Sequence, residues 1–186
     1  MSDQNSEELE KIEEYFRVIQ SRIVEPIQKA DVGRYCTATL LLLFAAIDGL
    51  GKLIHPNPKA GSNDRIRCFL NYMGESYEKR KKELLKLRHS LVHNAINVAS
   101  FMSQTEIGSD QHLKRIGSGG FIYVNTSILY NDFCHAFERL RDEFVYNEQM
   151  LKRAAGRLDW IEEDVEDLYP EIPASPPPPV EFIWAK

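Results

Sequence analysis

The sequence has few cysteines, no long apolar run and no apolar segment at its N-terminus. Its three cysteines, Cys36, Cys68 and Cys134, are widely spaced and embedded in apolar helical patterns. We therefore expect reduced core thiols rather than disulfides or a metal site. The longest apolar stretch, at residues 39–47, is shorter than the roughly 18 residues that a membrane helix requires. The acidic start, MSDQNSEELE, lacks the core of a secretory signal, so a cytoplasmic protein without a membrane segment is expected.

The charge is unevenly distributed along the chain. With 43% hydrophobic and 27% charged residues, the 186-residue chain has the composition of a globular protein, and its net charge of −5 argues against a generally basic surface. Residues 79–88 nevertheless contain six basic residues and one acid, whereas residues 159–171 contain seven acids and no base. The basic segment either attracts a polyanion to one face of the protein or is simply a solvated helix face.

The spacing of apolar residues predicts an all-α protein, an up-and-down bundle of four to five helices. A small β-hairpin insertion is expected within residues 103–125, where two strand-like pieces flank a Gly-Ser-Gly-Gly turn. We assign residues 1–156 to the bundle and residues 157–186 to an acidic tail with a stiff Pro-rich C-terminal arm. Helices are predicted at about residues 5 to 25–32, with Asn5 as cap, and at 34–54, 64–73, 76–102 and 126–153.

The fourth predicted helix combines an ordinary apolar face with unusual polar residues. At about 100° per residue, its buried face consists of Leu84, Leu87, Leu91 and Ala95. Arg88 falls inside this face, and His89 and His93 lie on its flank one turn apart. Because desolvating an unpaired arginine costs several kcal/mol, Arg88 requires an anionic partner or a cleft that binds an anion.

Asp48 is the one charged residue inside the apolar second helix, and its burial would create the same requirement. Two opposite charges in two core helices compensate each other, so we predict that Asp48 pairs with Arg88. The alternative is that Asp48, next to Gly49 and near Gly51, lies unpaired and hydrated at a frayed helix end.

The segment Arg88-His89-Ser90-Leu91-Val92-His93 is an arginine followed by a polar residue, three more residues and a histidine, on a late helix of a bundle. It resembles the signature of the HEPN superfamily, Arg-x(4 to 6)-His with Asn, Asp or His directly after the arginine. The resemblance in helix order spans roughly residues 5–153, while the motif itself covers about ten residues.

The resemblance implies a metal-independent endoribonuclease that needs no cofactor, in which a 2′-hydroxyl attacks the adjacent phosphate. By position, His93 would act as general base or acid, Arg88 would neutralise phosphate charge and His89 would orient His93 or the phosphate. Family members commonly form their site across a homodimer and serve as toxins or antiviral effectors with an antitoxin or regulatory partner. The remaining expected site residues are the supporting Asp48, Ser90 and Asn94, and the RNA-binding Lys79, Arg80, Lys81, Lys82 and Lys86.

Three observations keep other interpretations open. Toxins of this kind that are silenced by nucleotidyltransferases resemble one another in a Tyr two residues after the motif histidine, where this chain has Ala95. Some HEPN domains are non-catalytic modules that bind a nucleotide or a protein. His89 and His93 could also share a metal ion, although no third ligand is near them in sequence.

Overall fold

The protein is mostly helical, as the apolar periodicity predicts. The computed structural model describes residues 3–29, 36–94, 100–103, 109–116 and 121–168. Three short strands, described below, accompany the helices. The α-helices are α1 Asp3–Ile19, α2 Glu25–Lys29, α3 Cys36–Ile54, α4 Ser62–Met73, α5 Glu75–Asn94, α6 Thr126–Tyr146 and α7 Glu148–Leu168.

A turn of π-helix, Gln20–Val24, joins α1 to α2, whose second residue is Pro26. Because proline has no N–H to donate to the carbonyl four residues earlier, the regular helical ladder is interrupted here and a wider turn is accommodated. The helix begins at Asp3, so the prediction that Asn5 is its cap is wrong. Helix α2, which continues α1 through the π-helical turn, ends at Lys29, within the predicted range of residues 25–32.

Helix α3 lies at the centre of the fold and contacts α4, α5, α6 and α7. Its core-facing side chains are fully buried, among them Leu43, Ile47 and Leu50. Over Thr37–Ile54 it is long and apolar enough to cross a membrane, but 56% of that window is buried within the protein. Burial of this extent is typical of the core helix of a globular domain.

The sheet is larger than the predicted hairpin. Strands β2 (Arg115–Ile116) and β3 (Phe121–Asn125) form the expected antiparallel pair. A third strand, β1 (Ser100–Ser103), pairs with β3 in parallel, giving the order β1-β3-β2. The prediction of helix up to residue 102 is therefore wrong: α5 ends at Asn94, and the β-structure begins at residue 100.

The last predicted helix is in fact two helices, α6 and α7, with a break at Asn147. The Asn147 N–H donates to the Glu143 carbonyl at 2.9 Å, and the Asn147 side-chain oxygen accepts from the Met150 N–H at 3.0 Å. One residue thus caps the end of α6 and the start of α7. Helix α7 continues past residue 156 into the expected tail, with Leu158 buried, while the Pro-rich arm lies outside the described residues.

A chain of hydrogen bonds attaches the sheet region to the helices. The Asn125 N–H donates to His112 Nδ1 at 3.0 Å, so the imidazole proton is on Nε2, which contacts the Tyr77 hydroxyl at 3.1 Å. The Tyr77 hydroxyl in turn donates to Asp132 at 2.6 Å. Burial lowers the pKa of His112 to about 4, although the charge of Asp132 opposes this shift. The neutral imidazole therefore joins β3, α5 and α6.

We predict that this histidine makes the protein sensitive to mild acid. Its folded-state pKa lies below the ordinary value of 6.5, so its contribution to stability is present above about pH 6.5 and is lost as the pH falls towards 4. His112→Asn keeps an acceptor for the Asn125 N–H but cannot take up a proton. In thermal unfolding at pH 7 and pH 5, the wild type should lose more stability than His112→Asn. An equal loss in both proteins would contradict this assignment.

Candidate functional site

Helix α5 carries an exposed row of cationic and imidazole side chains. Lys79, Lys82, Lys86, His89 and His93 follow one another at steps of three, four, three and four residues, and all five are exposed. This spacing places them within roughly 80° of one face of the helix. We call this row the basic stripe. Its buried counterpart is the predicted apolar face, of which Leu84, Leu87 and Leu91 are buried and Ala95 lies outside the described residues.

The two histidines of the stripe are in contact. The ring centroids of His89 and His93 lie 4.3 Å apart, with the ring planes inclined by 50°. Both rings are exposed, so each can contact a ligand. Within the described residues, no group of three or more His, Cys, Asp or Glu side chains is arranged to hold a metal ion.

A groove between α4 and α5 runs along the stripe. It encloses about 540 Å³ and is lined by Asn63, Arg67, Lys82, Leu85, Lys86, His89 and Ser90. Its lining has cationic and neutral side chains and no carboxylate, although Arg67 also pairs with Asp64 at 2.9 Å. Phosphate groups are the natural ligands of such a groove, because several cations face it and it is open to water. We call it the α4–α5 groove.

The five predicted RNA-binding residues divide between this face and others. Lys82 and Lys86 line the α4–α5 groove, and Lys79 lies on the stripe, in an exposed ion pair with Glu75 at 2.5 Å. Arg80 instead donates to the Leu113 carbonyl at 3.0 Å and so ties α5 to the sheet region. Lys81 donates to the Asn71 side chain at 3.2 Å.

Asp48 pairs with Arg65 and not with Arg88, so the predicted pairing is wrong. Arg65 Nε donates to Asp48 Oδ1 at 2.6 Å and Arg65 Nη2 to Asp48 Oδ2 at 3.0 Å, a two-pronged contact. The Ser62 hydroxyl also donates to Asp48 Oδ2, at 2.7 Å, and it accepts from Arg88 Nη2 at 3.3 Å. Arg88 therefore reaches the carboxylate only through Ser62. The alternative of an unpaired, hydrated Asp48 is wrong as well.

Arg88 lies at the edge of an open cleft between α3, α4 and α5. The cleft has a volume of about 390 Å³, and Asp48, Lys52, Arg65 and Arg88 supply its charged lining, with Leu41, Phe44, Ala45, Gly49 and Val92 around them. Three cations and one carboxylate leave a net positive charge in this Arg88 cleft. Arg88 is half-buried, so it meets the expectation of a cleft able to receive an anion.

Arg88 and the two histidines lie on different sides of α5. Arg88 lines the Arg88 cleft, whereas His89 lines the α4–α5 groove. Arg88 and His93 are separated by about 140° around the helix because they are five residues apart. Of the supporting residues, Ser90 is buried and lines the groove, while the Asn94 side chain lies outside the described residues.

Sequence reasoning missed Arg65, Ser62 and Arg67, all from the short helix α4. A signal was present, because Ser62 falls on the buried face formed by Ile66, Phe69 and Leu70, and Arg65 lies at the edge of that face. That spacing identifies polar residues at a helix–helix boundary, but it does not say which helix they meet.

No protein-family model matches the sequence, and neither a curated protein nor a solved structure matches it. The resemblance to the HEPN superfamily therefore depends on the residues from Arg88 to His93.

Proposed function

We propose that the protein is a metal-independent endoribonuclease of the HEPN type, acting in the cytoplasm as a toxin or antiviral effector. One observation carries the proposal: the basic stripe ends in two exposed histidines that contact each other beside a cationic groove. A polyanion that follows the stripe would bring its phosphates to the imidazoles, which are the side chains best suited to move protons near neutral pH.

In the proposed reaction, the RNA itself supplies the nucleophile. The 2′-hydroxyl loses its proton to a general base and attacks the adjacent phosphorus; the P–O5′ bond breaks, and the 5′-oxygen takes up a proton. The products are a 2′,3′-cyclic phosphate and a free 5′-hydroxyl. His93 acts as the general base or acid and His89 orients it, while Lys82 and Lys86 hold neighbouring phosphates.

In this proposal, Arg88 contributes to the active site when two copies of the chain form a dimer. Its cleft opens on a different side of α5 from His93, so a composite site needs Arg88 of one subunit and His93 of another. An apolar surface adjoins the Arg88 cleft: Leu42 is 37% and Val92 49% exposed, and Ala45 is exposed as well. Covering this surface with a second copy would place Arg88 near the boundary between subunits, where it could stabilise phosphate charge.

A second function is favoured by the contacts of Arg88. Its hydrogen bond to Ser62, and through it the link to the Asp48–Arg65 pair, is what a structural arginine would make. In that case the chain is a non-catalytic helical module that binds a nucleotide, an antitoxin or another regulatory protein. Incubation of the purified protein with structured RNAs in EDTA distinguishes the two, because only the nuclease yields cyclic-phosphate ends.

RNA binding by the stripe is tested with Lys82→Ala/Lys86→Ala. In the background of His93→Ala, which prevents cleavage, the double variant should bind a single-stranded RNA about tenfold more weakly near 0.1 M salt. The slope of log affinity against log salt should fall by about 1.4, since two phosphate contacts are lost. Fluorescence anisotropy with a labelled oligonucleotide measures both quantities.

The matched control is Lys29→Ala/Lys59→Ala, which removes two exposed lysines that neither belong to α5 nor line the α4–α5 groove. It changes the net charge equally and should affect RNA binding less than the stripe variant. Equal effects of the two double variants would show that the stripe has no special part in binding.

A further inference from the structure

A third cationic cavity lies where the C-terminal end of α3 meets α7. It encloses about 370 Å³, and its lining includes Lys52, Lys152, Arg153 and Arg157, together with Pro56 and Pro58. We call it the α3–α7 cleft. It is separate from the basic stripe, since none of its lining residues belongs to α4 or α5. Four cations in one cleft repel one another, which makes the arrangement costly unless an anion is present.

Arg157 is the buried member of this group. It is only 6% exposed, and it donates to the carbonyls of Lys52, Leu53 and Pro56. The Lys52 and Leu53 carbonyls belong to the last turn of α3 and the Pro56 carbonyl follows it, so the guanidinium caps a helix C-terminus and interacts favourably with its dipole. Burial, reinforced by the charge of Arg153, lowers the pKa of Arg157. Carbonyl dipoles therefore compensate this charge only in part.

The carboxylates in the described part of the chain compensate little of the remaining positive charge. Lys152 pairs with Glu148 at 2.7 Å, and both side chains are largely exposed. Among the described side chains, no carboxylate forms an ion pair with Lys52, Arg153 or Arg157. Three cations consequently face one cleft beside the flat apolar rings of Pro56 and Pro58.

We propose that the α3–α7 cleft is a binding site for a phosphate group, either free phosphate or the phosphate of a mononucleotide. Arg153 and Lys52 bind the phosphate oxygens, and the desolvated charge of Arg157 adds to the attraction. Pro56 and Pro58 form an apolar wall for the rest of a nucleotide. Lys52 also lines the Arg88 cleft, so a ligand here would draw its ammonium group away from that cleft. The proposal does not depend on RNA cleavage.

The test is titration of the full-length protein with inorganic phosphate, AMP and adenosine, followed by calorimetry and thermal unfolding at constant ionic strength. Phosphate and AMP should bind saturably and raise the Tm, while adenosine should not, because it lacks the phosphate. Equal affinities for inorganic phosphate and AMP would identify free phosphate as the ligand. Tighter binding of AMP than of phosphate would identify a nucleoside phosphate. Absence of saturable binding by both would overturn the proposal.

Variants locate the site. Arg153→Ala removes an exposed side chain and should weaken binding about tenfold, which corresponds to one lost charge-assisted hydrogen bond. Arg22→Ala, at an exposed arginine outside the cleft, should bind as the wild type does. Lys82→Ala/Lys86→Ala should also retain binding. If that double variant loses binding and Arg153→Ala keeps it, the phosphate sits on the basic stripe and the proposal is wrong.

Discussion

Replacing His93 with alanine is expected to reduce RNA cleavage at least about 100-fold, the usual loss when a general acid or base is removed. The protein should stay folded, because the His93 side chain is exposed and its described contact is the ring of His89. Substitutions at such surface positions change stability by about 0.5 kcal/mol or less, or about 2 °C in Tm. The measurement is cleavage of a structured RNA in EDTA, together with thermal unfolding.

The control for this experiment is His135→Ala. His135 is also an exposed histidine on a helix, α6, but it lies away from the stripe. The His135→Ala variant should cleave RNA at the wild-type rate. Cleavage by the wild type should vary with pH as expected for an imidazole. Equal cleavage by His93→Ala and the wild type would reject the catalytic role of His93 and favour the non-catalytic module.

Gly51→Ala is expected to destabilise the protein strongly. A Cβ on Gly51 would lie 2.2 Å from the Arg65 carbonyl oxygen and 2.6 Å from the Arg65 carbonyl carbon, which are backbone atoms of α4. In an open helix the same change would stabilise by about 1 kcal/mol. Here α3 and α4 must separate, and overpacking of this kind costs about 2 kcal/mol. The Tm should fall by about 4–8 °C, and the Arg65 contact with Asp48 should be disturbed.

Two other glycines provide controls. A Cβ on Gly49 would meet the Tyr15 hydroxyl at 2.5 Å, the far end of a side chain that can move, so Gly49→Ala should cost less than Gly51→Ala. A Cβ on Gly156 has no heavy atom within 4 Å, so Gly156→Ala should be neutral or slightly stabilising. If Gly51→Ala unfolds at the wild-type temperature, α3 and α4 are not as close as described.

Helix α5 shows how far sequence reasoning could go. Its buried leucines follow from a period of 3.6 residues, and the same period places Arg88 and His93 on different sides of the helix. The same period also defines the basic stripe, but the prediction of RNA-binding residues used charge alone and therefore included Arg80 and Lys81. The helical period places Arg80 and Lys81 about 100° and 200° around the helix from Lys79. Their contacts with Leu113 and Asn71 also keep them apart from the cationic face.

The end of α5 shows where the reasoning failed. Strand β1 is four residues long and pairs with β3 about twenty residues later in the chain. A strand this short has too few residues for an alternating pattern, and its hydrogen-bond partners are distant in sequence. Asn147 is a comparable case, because a single residue divides a stretch whose apolar spacing continues through it.

The sequence by itself determined the mostly helical class, the buried faces of the helices and the presence of a cationic segment, because each of these depends on neighbours within a few turns of one helix. Only the tertiary structure decided that Asp48 binds Arg65, that Arg88 and His89 line separate cavities, and that Arg157 joins α7 to the end of α3. These contacts depend on which helices lie side by side and how closely. Residue spacing within one helix contains no information about that arrangement.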